Sequence, residues 1–369
     1  MFSRNDKISV RQMQTLAIID IFGTGVIALP RRAAEYAGAD GWIIIILITL
    51  LALLATHIMA SVGHLHPSKS FVSCMETILS KPVAKVIGII FALKLMANCA
   101  LELRVFGEIV RENMLPRTPF LAIVIAMSAV SAYAASKGYE ARARIAQILF
   151  PIIFLPLILI FVLALRDVDF SNLMPVFTES PKNVITGAFK LGSAFSCLEL
   201  LLIAHPFANR PKSVRKGING AILFTGALML ATTVITLAKF GPFDVQRHLW
   251  PVLDVMDLVE LPGSFIERQD ALMLSFWILS NFVIMNSCLF FSSILLKDVF
   301  GKGKHIYYII ASSLLVAIAA LSMKNASQAT PLIDKLYLTF GIAFMYGLPL
   351  LLLAVGKLRG LPKEGGIDG

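Results

Sequence analysis

Charge is scarce in this chain. Only 15% of its 369 residues are Asp, Glu, Lys or Arg, against about 25% in soluble domains. That is too little to cover a water-facing surface, so a water-soluble enzyme is set aside. Hydrophobic residues reach 57%, which excludes a disordered chain. Acids are scarcer than bases, 23 against 33, leaving a net charge of +10. In so apolar a chain the basic excess is read against a membrane, where it sets orientation. Nothing beyond charge points to nucleic acid, so no nucleic-acid partner is expected. Cysteine is rare too. Cys74, Cys99, Cys197 and Cys288 show no close spacing and are read as free thiols, with no disulfide framework and no zinc site. The motifs of intramembrane hydrolases and phosphate-cradling loops are missing. Ser193 and His205 are the one tempting catalytic pair, twelve residues apart, and they carry no such motif. No catalytic residue, cofactor or metal is expected.

What the chain has instead is long apolar runs. A membrane-spanning helix needs about 20 mostly apolar residues, because its backbone must satisfy itself inside the bilayer. Residues 41–68, 145–165, 217–238, 271–296, 306–323 and 336–356 contain no Asp, Glu, Lys or Arg, nor does the shorter 119–136. Three more runs are interrupted by charge: 8–32 by Asp20, 83–108 by Lys94, Glu102 and Arg104, and 183–208 by Lys190 and Glu199. The count is ten spans in an all-α polytopic membrane protein. The first span is expected to be retained as a span, with no cleavage site behind a short apolar core.

Loop charge orients the spans. With both termini on the cytoplasmic side, that side holds 19 Lys and Arg against 6 acids, and the other side holds 11 against 14. The positive-inside rule is met. Arg31 and Arg32 violate it locally, and Glu35 stands at helical spacing to balance them. A short amphipathic helix is expected within 65–82, and residues 240–268 form the largest outer loop. The tail, 358–369, is expected to be disordered. The whole chain is read as one integral membrane domain.

Ten spans divide into two halves of five, about 8–165 and 183–356. An odd number in each half makes the two enter the membrane from opposite sides, as an inverted repeat requires. The first span of each half carries small residues near its middle: Phe22-Gly23-Thr24-Gly25 in span 1 and Leu191-Gly192-Ser193-Ala194 in span 6. Each glycine weakens a helix by about 1 kcal/mol relative to alanine. Both spans are therefore expected to break there, close packing of helices being the rival use of small residues.

Several segments resemble known ones. Phe22-Gly23-Thr24-Gly25-Val26-Ile27-Ala28-Leu29-Pro30, followed by Ala37-Gly38-Ala39-Asp40-Gly41-Trp42, resembles the start of amino-acid permeases of the amino acid–polyamine–organocation superfamily. More specific are Leu249-Trp250-Pro251, the block from Leu261 to Leu272 with its Pro262, Gly263, Phe265, Glu267, Arg268 and Asp270, and Trp277. These resemble the spore-germination permeases, the B subunits of GerA-type nutrient germinant receptors, over about residues 7–357. The resemblance implies a LeuT-like fold of ten helices in the inner membrane of a spore. It implies a membrane A subunit and a lipoprotein C subunit as partners, and a small nutrient ligand, commonly an amino acid. The implied output is germination with ion release.

Chemistry is expected at the breaks. A helix N-terminus carries about half a positive charge and holds anions. The second half of span 1, beginning near Gly25 and Val26, could bind a carboxylate with Gly23, Thr24 and Gly25 around it. Carbonyls near Leu191 and Gly192 could face an ammonium group, with Ser193 and Phe195 as walls. Lys94, Asn98 and Glu102 recur every four residues and share a face of span 3. Asn281, Met285 and Cys288 share a face of span 8. Buried charges in membranes pair or line water, so Asp20, Lys94, Glu102, Lys190 and Glu199 are assigned to an ion or water pathway. Lys94 is expected to pair with Glu102 or across helices, and Arg104 to snorkel outward. Two further functions stay open: a proton-coupled amino-acid or polyamine transporter acting alone, and a ligand-gated ion or water channel.

Overall fold

The computed structural model describes residues 6–63, 65, 69–258 and 269–359, without the side chains of 24, 25, 167 and 269–273. The described chain is almost entirely helical. Span 1 is split into α1 (Val10–Ile21) and α2 (Thr24–Ala37). Then come α3 (Gly41–Gly63), a short α4 (Phe71–Ile78), α5 (Lys81–Asn113), α6 (Phe120–Ser136) and α7 (Tyr139–Ala164). The second half begins with α8 (Pro181–Leu191), a 3-10 stretch (Gly192–Leu200) and α9 (Leu201–Ala204). It continues through α10 (Val214–Asp244), α11 (Pro251–Asp257), α12 (Gln269–Phe300), α13 (His305–Ser322), α14 (Ala326–Leu336) and α15 (Leu348–Leu358). Two π-helical turns, Tyr337–Gly341 and Ala343–Gly347, join the last two.

Among the described residues, eight helices are long and apolar enough to cross a membrane, one of them running through α2 and α3 as Val26–Gly63. The span centred on Phe120–Ser136 is 17 residues long, and span 1 is divided by its break. The ten expected spans are therefore all present as helices. Burial is inverted relative to a soluble protein. Leu155 and Ile318 are 72% and 64% exposed, whereas Thr56, Ser131, Thr232 and Asn281 are fully buried. Apolar side chains face outward where lipid would lie, and hydroxyls and amides face other helices.

Local chemistry sets the ends of these helices. Ser9 and Gln12 form a capping box at the start of α1: the Gln12 N–H donates to the Ser9 hydroxyl, and the Ser9 N–H to the Gln12 side chain. Just before it, the Ile8 N–H donates to the Phe207 carbonyl (2.8 Å), and the Asn209 N–H to that of Ile8 (2.9 Å). The start of span 1 is thereby tied to the end of span 6. Asp40, buried in the turn after α2, accepts from the backbone N–H groups of Phe177, Thr178 and Glu179 at 2.7–3.1 Å. It fixes the loop that leads into span 6. The short helix expected within 65–82 is α4, capped by Ser70 and buried through Phe71, Val72, Cys74, Met75 and Ile78. Burial pushes the Cys74 thiol up to about 11, as an inert packing cysteine should show. All four cysteines are free. Glu267 and Arg268, part of the resembling block, lie outside the described residues, as do residues 360–369 of the tail.

Candidate functional site

The backbone of span 1 breaks at Phe22 and Gly23. Phe22 ends α1 with φ −81° and ψ 67°, and Gly23 is extended at φ −104° and ψ −161°. The Gly23 N–H turns back to the Ile21 carbonyl at 2.9 Å. Helix α2 restarts at Thr24 with Gly23 as its N-cap and no side-chain cap. The restart falls ahead of the Gly25–Val26 position expected from sequence, because the turn is completed within two residues. A side chain at Gly23 would push the end of Ile284 aside, since a Cβ there would lie 2.8 Å from Ile284 Cδ1. Helix starts leave their first N–H groups without helical partners, and Gly23 lines the cavity beside this one.

Span 6 behaves differently. It does not unwind at Gly192. It tightens into a nine-residue 3-10 stretch, Gly192–Leu200, with Gly192 itself helical at φ −56° and ψ −16°. Hydrogen bonds of 3-10 type keep the carbonyls occupied, so the expected open carbonyls near Leu191 give way to a narrower helix. The Lys190 carbonyl lies 3.3 Å from the Ser193 hydroxyl. Gly192 is glycine for packing reasons: a Cβ would collide with the hydroxyl of Tyr337 from span 10.

Between the two interruptions lies a cavity of about 50 Å³, lined by residues including Asp20, Gly23, Glu102, Ser193, Cys197 and Trp250. That is room for one or two waters at roughly 30 Å³ each. A vestibule of about 810 Å³ opens on the face that carries both described chain ends, bounded by Asp6, Lys137, Phe207, Phe290 and Lys297. One of about 480 Å³ opens on the far face, bounded by Arg31, Arg32, Glu35, Trp250 and Asp334. Ala28, Arg32, Trp250 and Thr330 line both the cavity and the far vestibule, and no described residue lines both the cavity and the near one.

The far closure is an ion pair. Arg32 Nη2 meets the Asp334 carboxylate at 2.5 and 2.6 Å, and the Ser193 hydroxyl donates to the same carboxylate at 3.1 Å. Arg31 pairs with Glu35 at 2.9 Å, so Glu35 balances one of the two arginines and a residue of span 10 balances the other. The near closure is built on Arg142. Its Nη2 donates to the Ser287 hydroxyl, which donates to Asp20 Oδ1 at 2.6 Å. The guanidinium carbon lies 4.9–5.5 Å from the ring centres of Tyr139, Phe290 and Phe291, within cation–π range. Tyr139 also packs on Phe207 at 4.9 Å, completing an aromatic plug above the near vestibule.

The other expected site residues fall as follows. Lys94 and Glu199 form a buried ion pair between spans 3 and 6, the cross-helix choice among the pairings the spacing allowed. Glu199 Oε2 and Glu102 Oε2 are buried without a hydrogen-bond partner. Asn98 is buried between Lys94 and Glu102 on α5. Phe195 and Met285 are core residues, 1% exposed. Asn281 donates to the Trp277 carbonyl at 3.0 Å, and its Oδ1 has no partner. Lys190 lies 5.1 Å from the ring centre of Tyr36 and does not line the cavity. The side chains of Thr24 and Gly25 lie outside the described residues. Arg104 does not snorkel. It is buried against Glu108, donates to the Lys324 carbonyl at 2.5 Å and lies 4.1 Å from the Phe120 ring centre. His205 packs against Gly63 of α3.

Sequence reading missed Arg142, Ser287, Tyr139 and Asp334. Arg142 lies in a basic run beside Arg144 that reads as a loop, whereas α7 begins at Tyr139 and carries Arg142 inside the bundle.

Comparison with known proteins places this architecture. A family model described as "Spore germination protein" matches residues 7–329. Spore germination protein YndE of Bacillus subtilis (strain 168) is 28% identical over 364 residues, covering 97% of this chain and 99% of that one. Spore germination protein KB of the same organism is 23% identical and covers 98% of each. Among solved structures, a substrate-bound, outward-open Na+-coupled sialic acid symporter matches with a TM-score of 0.62 at 13% identity, over 95% of this chain and 84% of that one. At that identity the likeness is one of fold, and the fold is the LeuT-like transporter class.

Proposed function

The chain belongs to the spore germination protein family, and from that premise we propose that it is the transporter-like, nutrient-sensing membrane subunit of a spore germinant receptor. A small ligand, an amino acid by preference, binds between the interrupted centres of spans 1 and 6. Binding is relayed to a membrane A subunit and a lipoprotein C subunit, and the output is germination with ion release. The protein sits in the spore inner membrane with its termini, and so its larger vestibule, on the cytoplasmic side. The halves 8–165 and 183–356 act as inverted repeats, and Asp20, Glu102 and the Lys94–Glu199 pair line the ion or water path. The reading is non-enzymatic.

One observation carries this reading: a cavity at the Gly23 break with charged groups in its lining, lying between a vestibule on each side. Such a site can close around a ligand and signal that closure without passing the ligand on. The same geometry serves a transporter acting alone, and flux separates the two. Purified chain in proteoliposomes is given radiolabelled amino acids in turn. Binding without accumulation, lost in Gly23→Leu, is the result expected of the sensor. Accumulation by the chain alone would replace it with a transporter. Binding unchanged in folded Gly23→Leu would remove the site from the break.

A further inference from the structure

Among the described residues, the cavity contains one acceptor and one donor without a partner. Each other charge around it has a partner. Arg32 is met by Asp334, Asp20 by Ser287 with Arg142 behind it, and Glu199 by Lys94. Glu102 and Trp250 both line the cavity. The Glu102 Oε2 and Trp250 Nε1 atoms are both buried without a hydrogen-bond partner. An unanswered buried polar atom is costly, more so when charged, and such exceptions call for an explanation. Here one is a carboxylate oxygen and the other an indole N–H. They ask for opposite things, a cationic donor and an anionic or neutral acceptor.

We propose that Glu102 and Trp250 are the two recognition residues for a small zwitterion. Glu102 takes its ammonium group. The Trp250 N–H, with the uncapped start of α2 at Gly23, takes its carboxylate. This rests on the amino-acid reading above and changes the partner of the ammonium. The 3-10 stretch of span 6 keeps its carbonyls occupied, so span 3 supplies the counter-charge in their place. Ile21, Val105, Ile284 and Ile333 complete the lining with aliphatic walls. Those walls and the cavity's 50 Å³ select a small, apolar side chain even after the site expands around its ligand.

The test uses the full chain in lipid nanodiscs and reads thermal stabilisation by each of the twenty proteinogenic amino acids. Any that stabilise are compared with two truncated analogues, the acid lacking the ammonium group and the amine lacking the carboxylate. For alanine these are propionate and ethylamine. The expected result is that a small amino acid binds at least tenfold more tightly than either analogue. Glu102→Gln should remove the preference over the acid, and Trp250→Phe should reduce the preference over the amine. A variant that weakens amino acid and analogue equally has only a structural role, and that result overturns the assignment. Binding lost in Gly23→Leu but indifferent to both variants overturns this inference and leaves the proposed site standing. Stabilisation by none of the twenty amino acids overturns the zwitterion and the amino-acid reading together.

Discussion

At the far end of the cavity Arg32 meets Asp334 in an ion pair whose side chains keep 14% and 25% of their surface exposed. At the near end Arg142 is 2% exposed, caged by three aromatic rings and joined to Asp20 through a neutral hydroxyl. Both closures use an arginine and an aspartate, but they differ in cost. A pair in contact with a wet vestibule exchanges its bond for water at a net cost of about 0–1 kcal/mol. A buried guanidinium cannot leave without losing its ring contacts and stranding a buried carboxylate, a loss of about 3–5 kcal/mol when one partner of a buried pair is removed. The far side is therefore the side that opens first, and the near side is the one that needs a ligand's binding energy to move. On the receptor reading proposed above this ordering would be useful: a ligand would arrive through the weak closure and be registered by the strong one.

The largest effect should come from emptying the cage. Arg142→Met removes the charge that answers Asp20 and leaves Tyr139, Phe290 and Phe291 around a neutral chain. Equilibrium unfolding in mixed micelles should show a loss of about 3–5 kcal/mol. Arg142→Lys keeps the charge but loses the planar stacking, so it should recover part of that loss. A cost for Arg142→Met no larger than that for Arg32→Ala would end the distinction between the closures.

The second effect is one of access, and Cys197 reports it. This thiol lines the central cavity and is half-buried, whereas Cys74, Cys99 and Cys288 are buried. With those three replaced by alanine, a membrane-impermeant thiol reagent added from the far side should label Cys197 slowly. Arg32→Ala should speed labelling about fivefold, the factor that corresponds to roughly 1 kcal/mol. From the near side the same substitution should change nothing. Equal acceleration from both sides would mean that Arg32 holds the fold and not a gate.

Sequence reading reached the spans and the break because both are written locally. Hydrophobic runs of bilayer length and glycines within them need no tertiary information. Partners are written at a distance, and there local spacing misleads. Glu35 stands three residues from Arg32, yet Arg32 reaches Asp334, 302 positions away. Lys94 shares a helix face with Glu102, yet it pairs with Glu199. Arg142 is the clearest loss. The rule that assigns basic residues to cytoplasmic loops explained it away, and two of the three rings of its cage come from a helix in the other half. Span 6 was legible as an interruption but not as a 3-10 stretch, because the Tyr337 hydroxyl packed beside Gly192 comes from span 10.

The smallest effect sharpens the comparison without altering either closure. Salt shortens the Debye length from about 10 Å at 0.1 M to about 3 Å at 1 M, and it screens exposed charges far more than buried ones. Raising salt should therefore loosen the Arg32–Asp334 pair and leave Arg142 untouched. Far-side labelling of Cys197 should rise by less than about twofold, since the pair is worth at most about 1 kcal/mol. Near-side labelling should stay flat. Arg32→Ala supplies the control, because salt acting on the reagent alone persists in that variant whereas salt acting on the pair disappears. A salt response that survives Arg32→Ala, or one that is larger from the near side, would place the exposed electrostatics on the wrong end of the molecule and reverse the order in which the two sides open.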